Sequence, residues 1–169
     1  ATGRGVMVST RSALAKLGMK PTDVTCVVQG FGNVGSISAK LISQMGVKII
    51  GISDVTGGYY NTDGIDVNAA IEFIENSPNR NLEGCNIGKK VTNAELLELE
   101  CDVLVPAAME DQITPENAHN IKAKLMLHYA GLDERINAGI PAYESALKNN
   151  QIDYQWRSYL HTDCYFYWA

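Results

Sequence analysis

The sequence has no surplus of basic residues and no long hydrophobic run. Of its 169 residues, 14 are Lys or Arg and 19 are Asp or Glu, so the net charge is −5, and the basic residues form no cluster. This balance argues against a nucleic-acid-binding surface. No apolar segment is long enough to span a membrane, and no signal peptide opens the chain. The length and the apolar fraction of 46% predict a globular domain with a sizeable core and no nucleic-acid or membrane partner.

Cysteine and histidine are few, and neither occurs in a metal-binding pattern. The set is Cys26, Cys85, Cys101, Cys164, His119, His128 and His161. The cysteines lack metal-type spacing and the histidines have no carboxylate at ligand spacing, so we predict no metal site. Cys26 and Cys101 lie in strand-like runs and are predicted to be buried thiols, whereas Cys85 lies in a polar loop that could expose it. This cysteine usage favours a reduced, cytoplasmic setting.

One glycine-rich stretch organises the rest of the chain. The apolar run at 24–28 predicts a buried strand, and a helical pattern of apolar residues begins at 34. Between them stand Gly30, Gly32 and Gly35 in the spacing G-x-G-x-x-G, which in this context indicates a dinucleotide. Gly30 can make the tight turn, Gly32 lets a pyrophosphate approach the backbone, and Gly35 lets helix and strand pack closely. The positive end of the helix would then face the phosphates.

An acidic residue follows in the window that such folds use for the adenosine ribose. The next predicted strand, 47–53, is followed by Asp54. A carboxylate there accepts hydrogen bonds from the two ribose hydroxyls and repels a 2′-phosphate, which favours NAD over NADP. The alternative is an ordinary glycine turn and a solvated loop aspartate. Because the two signals agree, we favour the dinucleotide.

Strand-like and helical patterns alternate along the chain. We predict helices at 1–18, 67–76, 92–99, 114–120 and 138–149, and further strands at 102–105, 125–130 and 152–160. Asp66 is predicted to cap the helix at 67–76, Thr92 and Glu95 to form a capping box, and Thr114 to cap the helix at 114–120. The alternation predicts an α/β, Rossmann-like, doubly wound fold. Its mostly parallel sheet would carry helices on both faces, in three layers (αβα).

Four motifs in residues 1 to about 127 carry a family resemblance. They are ATGRGV at 1–6, QGFGNVG at 29–35, SDVTGGYYNTDGID at 53–66 and ELLELECDVLVPAAMEDQIT at 95–114. With these motifs the segment closely resembles the coenzyme domain of the glutamate/leucine/phenylalanine/valine dehydrogenases, most nearly that of the glutamate dehydrogenases. The resemblance implies oxidative deamination of L-glutamate to 2-oxoglutarate, with hydride passing to NAD; NADP stays open as the alternative.

The resemblance also implies a set of cofactor-binding residues. They are Gly30, Phe31, Gly32, Asn33 and Val34 at the pyrophosphate, Asp54 by the adenosine ribose, Ala107 and Ala108 along the dinucleotide cleft, and Thr2 and Asp111 toward the nicotinamide. The family usually has asparagine at position 111, and an amide can donate a hydrogen bond where an ionised carboxylate cannot. Each assignment has a simpler alternative: the two alanines as packing residues, and Thr2 as a helix cap.

The C-terminal part departs from this pattern. Residues 128–154 resemble a segment of the dienelactone hydrolases of the α/β-hydrolase fold, in which Asp133 would be a triad acid, with His161 as the histidine that follows it. No nucleophile elbow occurs anywhere in the chain, so an acyl-transfer mechanism lacks its nucleophile. We therefore divide the chain into a dinucleotide-binding domain, 1–127, and an atypical C-terminal extension, 128–169, packed on the same domain. The extension gives the chain the character of a chimera.

Three functions stay open at this stage. The first is the NAD(P)-binding half of a glutamate dehydrogenase, a fragment that binds cofactor without turnover because no substrate domain with its lysine and aspartate is present. On this view the chain has no catalytic residues of its own, glutamate and 2-oxoglutarate bind only in a full-length enzyme, and a homo-oligomer is allowed. The second is a non-catalytic dinucleotide-binding or structural module. The third, least favoured, is an α/β-hydrolase-type esterase.

Overall fold

The fold was analysed in a computed structural model that describes residues 2–109, 112–114 and 116–123, three later strands and helical positions 145, 148 and 149. The elements are α1 (Thr2–Leu17), β1 (Thr25–Gln29), α2 (Gly35–Gln44), β2 (Lys48–Asp54), β3 (Gly57–Tyr60), α3 (Val67–Asn76), β4 (Lys89–Val91), α4 (Asn93–Leu97), β5 (Val103–Pro106), β6 (Leu127–Ala130), β7 (Gln155–Ser158) and β8 (Cys164–Trp168). Short 3-10 turns cover Pro21–Asp23 and Ala118–Asn120. None of the helices in the described part is long and apolar enough to cross a membrane.

The main sheet has five strands in the order β4-β3-β2-β1-β5. Strand β1 pairs in parallel with β2 on one side and with β5 on the other. At its end Gln29 stands opposite Ser53 of β2 and Pro106 of β5. Strand β3 pairs antiparallel with β2 and with β4, so the sheet is mixed, and its parallel pairs join β2, β1 and β5 at one end of the sheet. Since the chain leaves β1 toward β2 and later returns to β5 on the other side, the sheet has a topological switch point at β1.

Helices cover both faces of this sheet, as the sequence predicts. One core cluster joins α1, α2 and α3 to alternate strand residues, including Leu14, Cys26 and Val28. A second cluster joins α4 to the residues that point the other way, including Val27 and Leu96. The alternation within β1 follows from the period of two in a strand. The predicted α/β, three-layer, Rossmann-like fold is therefore confirmed.

Two of the three predicted caps are present. The Asp66 carboxylate accepts from the backbone N–H groups of Asn68 and Ala69, both at 3.0 Å, and α3 has the predicted bounds. Thr92 and Glu95 form the predicted capping box at the start of α4. The third prediction was wrong: residues 118–120 form a 3-10 turn, and the Thr114 N–H donates to the Asn117 side chain at 2.8 Å. The backbone closes with i→i+3 bonds, from the Asn120 N–H to the Asn117 carbonyl at 3.0 Å and from the Ile121 N–H to the Ala118 carbonyl at 3.3 Å, which is the pattern of a short 3-10 helix.

The later strands form a sheet of their own. Strands β6, β8 and β7 pair in that order, both times antiparallel, with Leu127 opposite Tyr167 and Trp156 opposite Tyr167 on the other side. The strand predicted at 125–130 thus exists as β6, but it is hydrogen-bonded to β8 instead of extending the five-stranded sheet. The division of the chain near residue 127 stays a prediction.

Candidate functional site

The glycine turn after β1 has the geometry that a phosphate-binding turn needs. Gly30 has φ +87°, a left-handed conformation that favours glycine. A Cβ at Gly30 would lie 2.6 Å from the Ala107 carbonyl oxygen, so the turn is pressed against the end of β5. At Gly32, by contrast, a Cβ would meet nothing within 4 Å. The backbone at Gly32 therefore faces open space and can be approached by a ligand.

Helix α2 begins in close contact with this turn. A Cβ at Gly35 would lie 1.6 Å from the Gly30 carbonyl oxygen, so only glycine fits at the first position of the helix. The N-cap position is Val34, whose side chain makes no capping hydrogen bond. The Val34 side chain therefore supplies no acceptor to the first N–H groups of α2, and the positive end of this helix faces the exposed turn. An anion is the ligand that such an end attracts.

Helix α1 brings its first residues to the same place. A Cβ at Gly3 would lie 2.9 Å from the Val34 carbonyl oxygen and 2.8 Å from the Ile37 Cβ, so the two helices touch where α2 begins. Thr2, the first residue of α1, is exposed beside this contact. The motif ATGRG and the glycine turn, about thirty residues apart in sequence, therefore lie next to each other.

Asp54, the residue predicted to meet the adenosine ribose, ends β2 and is half-buried. Its Oδ1 accepts from the Thr56 N–H at 2.8 Å and from the Thr56 hydroxyl at 2.6 Å, and its Oδ2 accepts from the Leu82 N–H at 2.5 Å. Its carbonyl oxygen accepts from the Asn93 amide at 2.8 Å. The carboxylate thus holds the turn at Thr56 and the loop at Leu82, and the Asp54 carbonyl oxygen holds the start of α4. Because two carboxylate oxygens offer about four acceptor positions, one position is left at Oδ2.

The other predicted residues are distributed around the switch point. Phe31 is buried at 3% exposure and belongs to the core, while Asn33 and Ala108 are exposed. Ala107 is half-buried, and its N–H donates to the Gln29 carbonyl at 2.7 Å, which extends the β1–β5 pairing by one bond. Asp111 lies outside the described residues, as do Asp133 and His161. The structure therefore brings Thr2, the glycine turn and the two alanines together.

Sequence reasoning missed two glutamines at this site. Gln29 is 1% exposed, and its Nε2 donates to the Oε1 of Gln112 at 2.8 Å. The Gln29 Oε1 and the Ser53 hydroxyl, side by side at the ends of β1 and β2, are buried atoms without a hydrogen-bond partner among the described residues. The signal was available, because Gln29 is the polar residue that closes an apolar strand immediately before the first motif glycine.

The cysteines of the described part are structural. Cys26, Cys85 and Cys101 are free and buried, so the expected exposure of Cys85 was wrong: Leu82, its hydrogen-bonding neighbour, folds that loop onto the core. Burial raises the pKa of Cys26 well above its usual value and, together with the neighbouring Asp102, raises that of Cys101 to about 12. Thiols held protonated in this way are poor nucleophiles and ligands. Within the described residues no group of His, Cys, Asp and Glu could hold a metal ion.

Comparison with known proteins agrees with this geometry. The family model Glutamate/Leucine/Phenylalanine/Valine dehydrogenase matches residues 1–132. The NADP-specific glutamate dehydrogenase of Saccharolobus shibatae is 47% identical over 131 residues, which cover 76% of this chain and 30% of that protein. The cryptic catabolic NAD-specific glutamate dehydrogenase of Bacillus subtilis is 44% identical over 133 residues, covering 77% of this chain and 30% of that protein. The chain thus spans about a third of the length of the curated relatives that it matches.

A solved structure shares the fold. The hetero-hexameric glutamate dehydrogenase from Thermus thermophilus superposes with a TM-score of 0.66 at 23% identity, covering 85% of this chain and 33% of that one. The hydrolase interpretation of residues 128–154 gains no support from these comparisons, and the family model runs past its proposed start at residue 128. On the glycine motif, the shared fold and the match over residues 1–132, this chain belongs to the glutamate/leucine/phenylalanine/valine dehydrogenase family.

Proposed function

We propose that this chain is the NAD(P)-binding domain of a glutamate dehydrogenase and that it binds the dinucleotide without turnover on its own. The observation that supports it best is the contrast within the motif: a Cβ is excluded at Gly35 by the Gly30 carbonyl, yet at Gly32 it would meet open space. Close packing of α2 against β1 holds the turn, and the backbone at Gly32 is left accessible to a pyrophosphate.

In the complete reaction the nicotinamide accepts a hydride from the α-carbon of the amino acid. The part of this chain is to bind and orient the cofactor. The turn at Gly30–Val34 and the start of α2 would hold the pyrophosphate, and Ala107 and Ala108 would line the cleft on the β5 side. Thr2 and Asp111 would lie toward the nicotinamide. Positioning of this kind supplies a large part of enzymatic rate, but only when the substrate is also held.

Asp54 would lie by the adenosine ribose and favour NAD. The one acceptor position left at its Oδ2 suits a single ribose hydroxyl, and its negative charge opposes a 2′-phosphate. We expect Asp54→Asn, which removes the charge and keeps one oxygen for Thr56, to reduce the preference for NADH over NADPH. An unchanged ratio of the two dissociation constants would place the ribose elsewhere. The relatives include both NAD-specific and NADP-specific enzymes, so family membership leaves this choice open.

The same proposal extends to partners and setting. Glutamate and 2-oxoglutarate would bind in a longer enzyme whose substrate domain supplies the catalytic groups, and assembly as a homo-oligomer would be a property of that enzyme. The three free, buried thiols of the described part suit a reducing, cytoplasmic compartment.

A calorimetric titration of the whole 169-residue chain with NADH and with NADPH tests the proposal. We expect binding of at least one of them, and we expect Gly32→Val to weaken it at least tenfold, because a branched side chain would occupy the place of the pyrophosphate. If neither nucleotide binds to the folded chain, the proposed function is wrong.

A second measurement tests the absence of turnover. We expect no glutamate-dependent formation of NADH above background at saturating NAD. A steady rate that needs both glutamate and NAD, and that survives repurification, would show that the chain contains a complete active site.

A further inference from the structure

The hydrogen bond between Gln29 and Gln112 joins two parts of the site that are far apart in sequence. Gln29 is the last residue of β1 and stands immediately before Gly30, the first glycine of the turn. Gln112 is half-buried and follows β5 by six residues. Their 2.8 Å bond spans 83 residues and connects the phosphate turn to the segment 112–117.

Side-chain amides hold that segment in place. The Asn117 Nδ2 donates to the Gln112 carbonyl at 2.9 Å, and the Thr114 N–H donates to the Asn117 Oδ1 at 2.8 Å. No helix or strand forms at positions 112–114, 116 and 117. The positions of Gln112 and Thr114 therefore depend on local hydrogen bonds, and the bond to Gln29 anchors Gln112 to the sheet.

The burial of Gln29 indicates that its amide has a specific task. The residue points to the same face of β1 as Val27, where a side chain needed for packing alone would be apolar. A buried amide instead carries the cost of an unsatisfied Oε1, which has no partner among the described residues. The Gln29 amide also provides the N–H donor that binds Gln112.

We propose that Gln29 is a positioning residue that fixes the wall of the cleft on the β5 side, where the nicotinamide half of the cofactor would lie. This inference rests on the proposed function. In a doubly wound sheet the pyrophosphate lies at the glycine turn after β1 and the adenosine ribose at the end of β2. The other half of the dinucleotide then crosses the switch point to β5, toward Ala107, Ala108 and the segment that Gln112 anchors.

The test compares two nucleotides on the same variants of the whole chain. NADH reaches both halves of the cleft, whereas ADP carries the adenosine and two phosphates but no nicotinamide. The variants are Gln29→Met, Gln112→Met, their combination and Gln112→Glu, with Gln44→Met on the exposed end of α2 as the matched control. Calorimetry gives both dissociation constants, and thermal unfolding reports on the fold.

We expect each methionine variant to bind NADH about fivefold more weakly, the factor that one net hydrogen bond corresponds to, with ADP binding unchanged. The combined variant should bind no more weakly than Gln112→Met alone, because Gln29→Met removes a hydrogen bond that Gln112→Met has already removed. Gln112→Glu should bind NADH like the unaltered chain, since a carboxylate also accepts from the Gln29 Nε2. Gln29→Met should unfold no earlier than the unaltered chain, because it removes an unsatisfied buried oxygen.

Three results would overturn the inference. They are unchanged NADH binding in both methionine variants, an equal loss of NADH and ADP binding, and loss of NADH binding in Gln112→Glu as large as in Gln112→Met. If Gln29→Met does not fold, the half-exposed Gln112 variants decide in its place. If the unaltered chain binds neither nucleotide, the proposed function fails and this inference fails with it, whereas binding that the variants leave unchanged refutes this inference alone.

Discussion

Gly35→Ala is the change that the structure opposes most directly. The new Cβ would lie 1.6 Å from the Gly30 carbonyl oxygen, 2.8 Å from its carbon and 3.3 Å from the Val28 Cγ1. A carbon and a carbonyl oxygen without a bond between them approach to about 3.3 Å, so the turn and helix α2 must separate by roughly 1.7 Å. Because the obstacle is backbone, no side chain can rotate away from the new methyl group.

The cost follows from that displacement. Overpacking of a well-packed interior costs about 1–3 kcal/mol and more when the backbone has to move. We expect Gly35→Ala to lower the free energy of unfolding by about 3 kcal/mol or more, a large part of the roughly 5–15 kcal/mol that holds a domain folded. NADH binding should be lost as well, because the turn can no longer lie against the start of α2.

Gly32→Ala is the matched control. It is the same change three residues away, but the added Cβ meets nothing within 4 Å. We expect the free energy of unfolding to stay within about 0.5 kcal/mol, as for most exposed substitutions. NADH binding should nevertheless weaken at least tenfold, about 1.4 kcal/mol, because the methyl group stands where the pyrophosphate would lie.

Urea unfolding followed by circular dichroism, with calorimetric titration of NADH, measures both quantities. We expect the two variants to differ: Gly35→Ala should be less stable than the unaltered chain, whereas Gly32→Ala should be equally stable but bind NADH more weakly. A Gly35→Ala variant as stable as the unaltered chain would show that the helix does not begin against the Gly30 carbonyl. A Gly32→Ala variant with full NADH affinity would show that the phosphates bind elsewhere.

The remaining predictions concern α1, the thiols and the capping box. Gly5→Ala should stabilise the chain by up to about 1 kcal/mol because its Cβ is unobstructed within a helix, whereas Gly3→Ala should destabilise it by pushing α1 from α2; urea unfolding compares them. Iodoacetamide at neutral pH should leave Cys26 and Cys101 unmodified in the native chain, since burial raises the pKa of both thiols; labelling of either one before unfolding, seen by mass spectrometry, would contradict this. The pKa of Glu95 is lowered mainly by the backbone N–H and then the hydroxyl of the capping threonine, so its contribution to stability is present above its unfolded pKa and is lost as pH falls below it. Glu95→Gln should therefore flatten the pH dependence of the melting temperature between about pH 6 and pH 3, and equal slopes in the two proteins would refute the assignment.

The sequence alone was sufficient for several local elements and for the fold class. The apolar run before Gly30 predicted β1 within one residue, and Asp66 predicted the start of α3 because a capping carboxylate satisfies N–H groups only two and three residues ahead. The three-layer fold followed from alternating strand and helix patterns. These features depend on residues close together in the chain, so the pattern carries them directly.

Other features depended on contacts between distant segments. The helix predicted from Thr114 is a 3-10 turn closed by i→i+3 bonds, and Cys85 is buried by the fold of its loop. The pairing of β6 with β8 rather than with the five-stranded sheet could not be predicted from hydrophobic periodicity, because a strand-like pattern does not show which other strand it pairs with.

The same distinction between local features and long-range contacts holds for the candidate site. The spacing of the glycines indicated a phosphate turn, but the sequence could not show that Gly30 is pressed against Ala107 or that the Asp54 carboxylate already accepts three hydrogen bonds. Nor could it show that Gln29 reaches Gln112 across 83 residues. The sequence determines the chemical groups that each side chain carries. The partners of those groups depend on which segments the sheet brings to the same edge, and only the tertiary structure determines this.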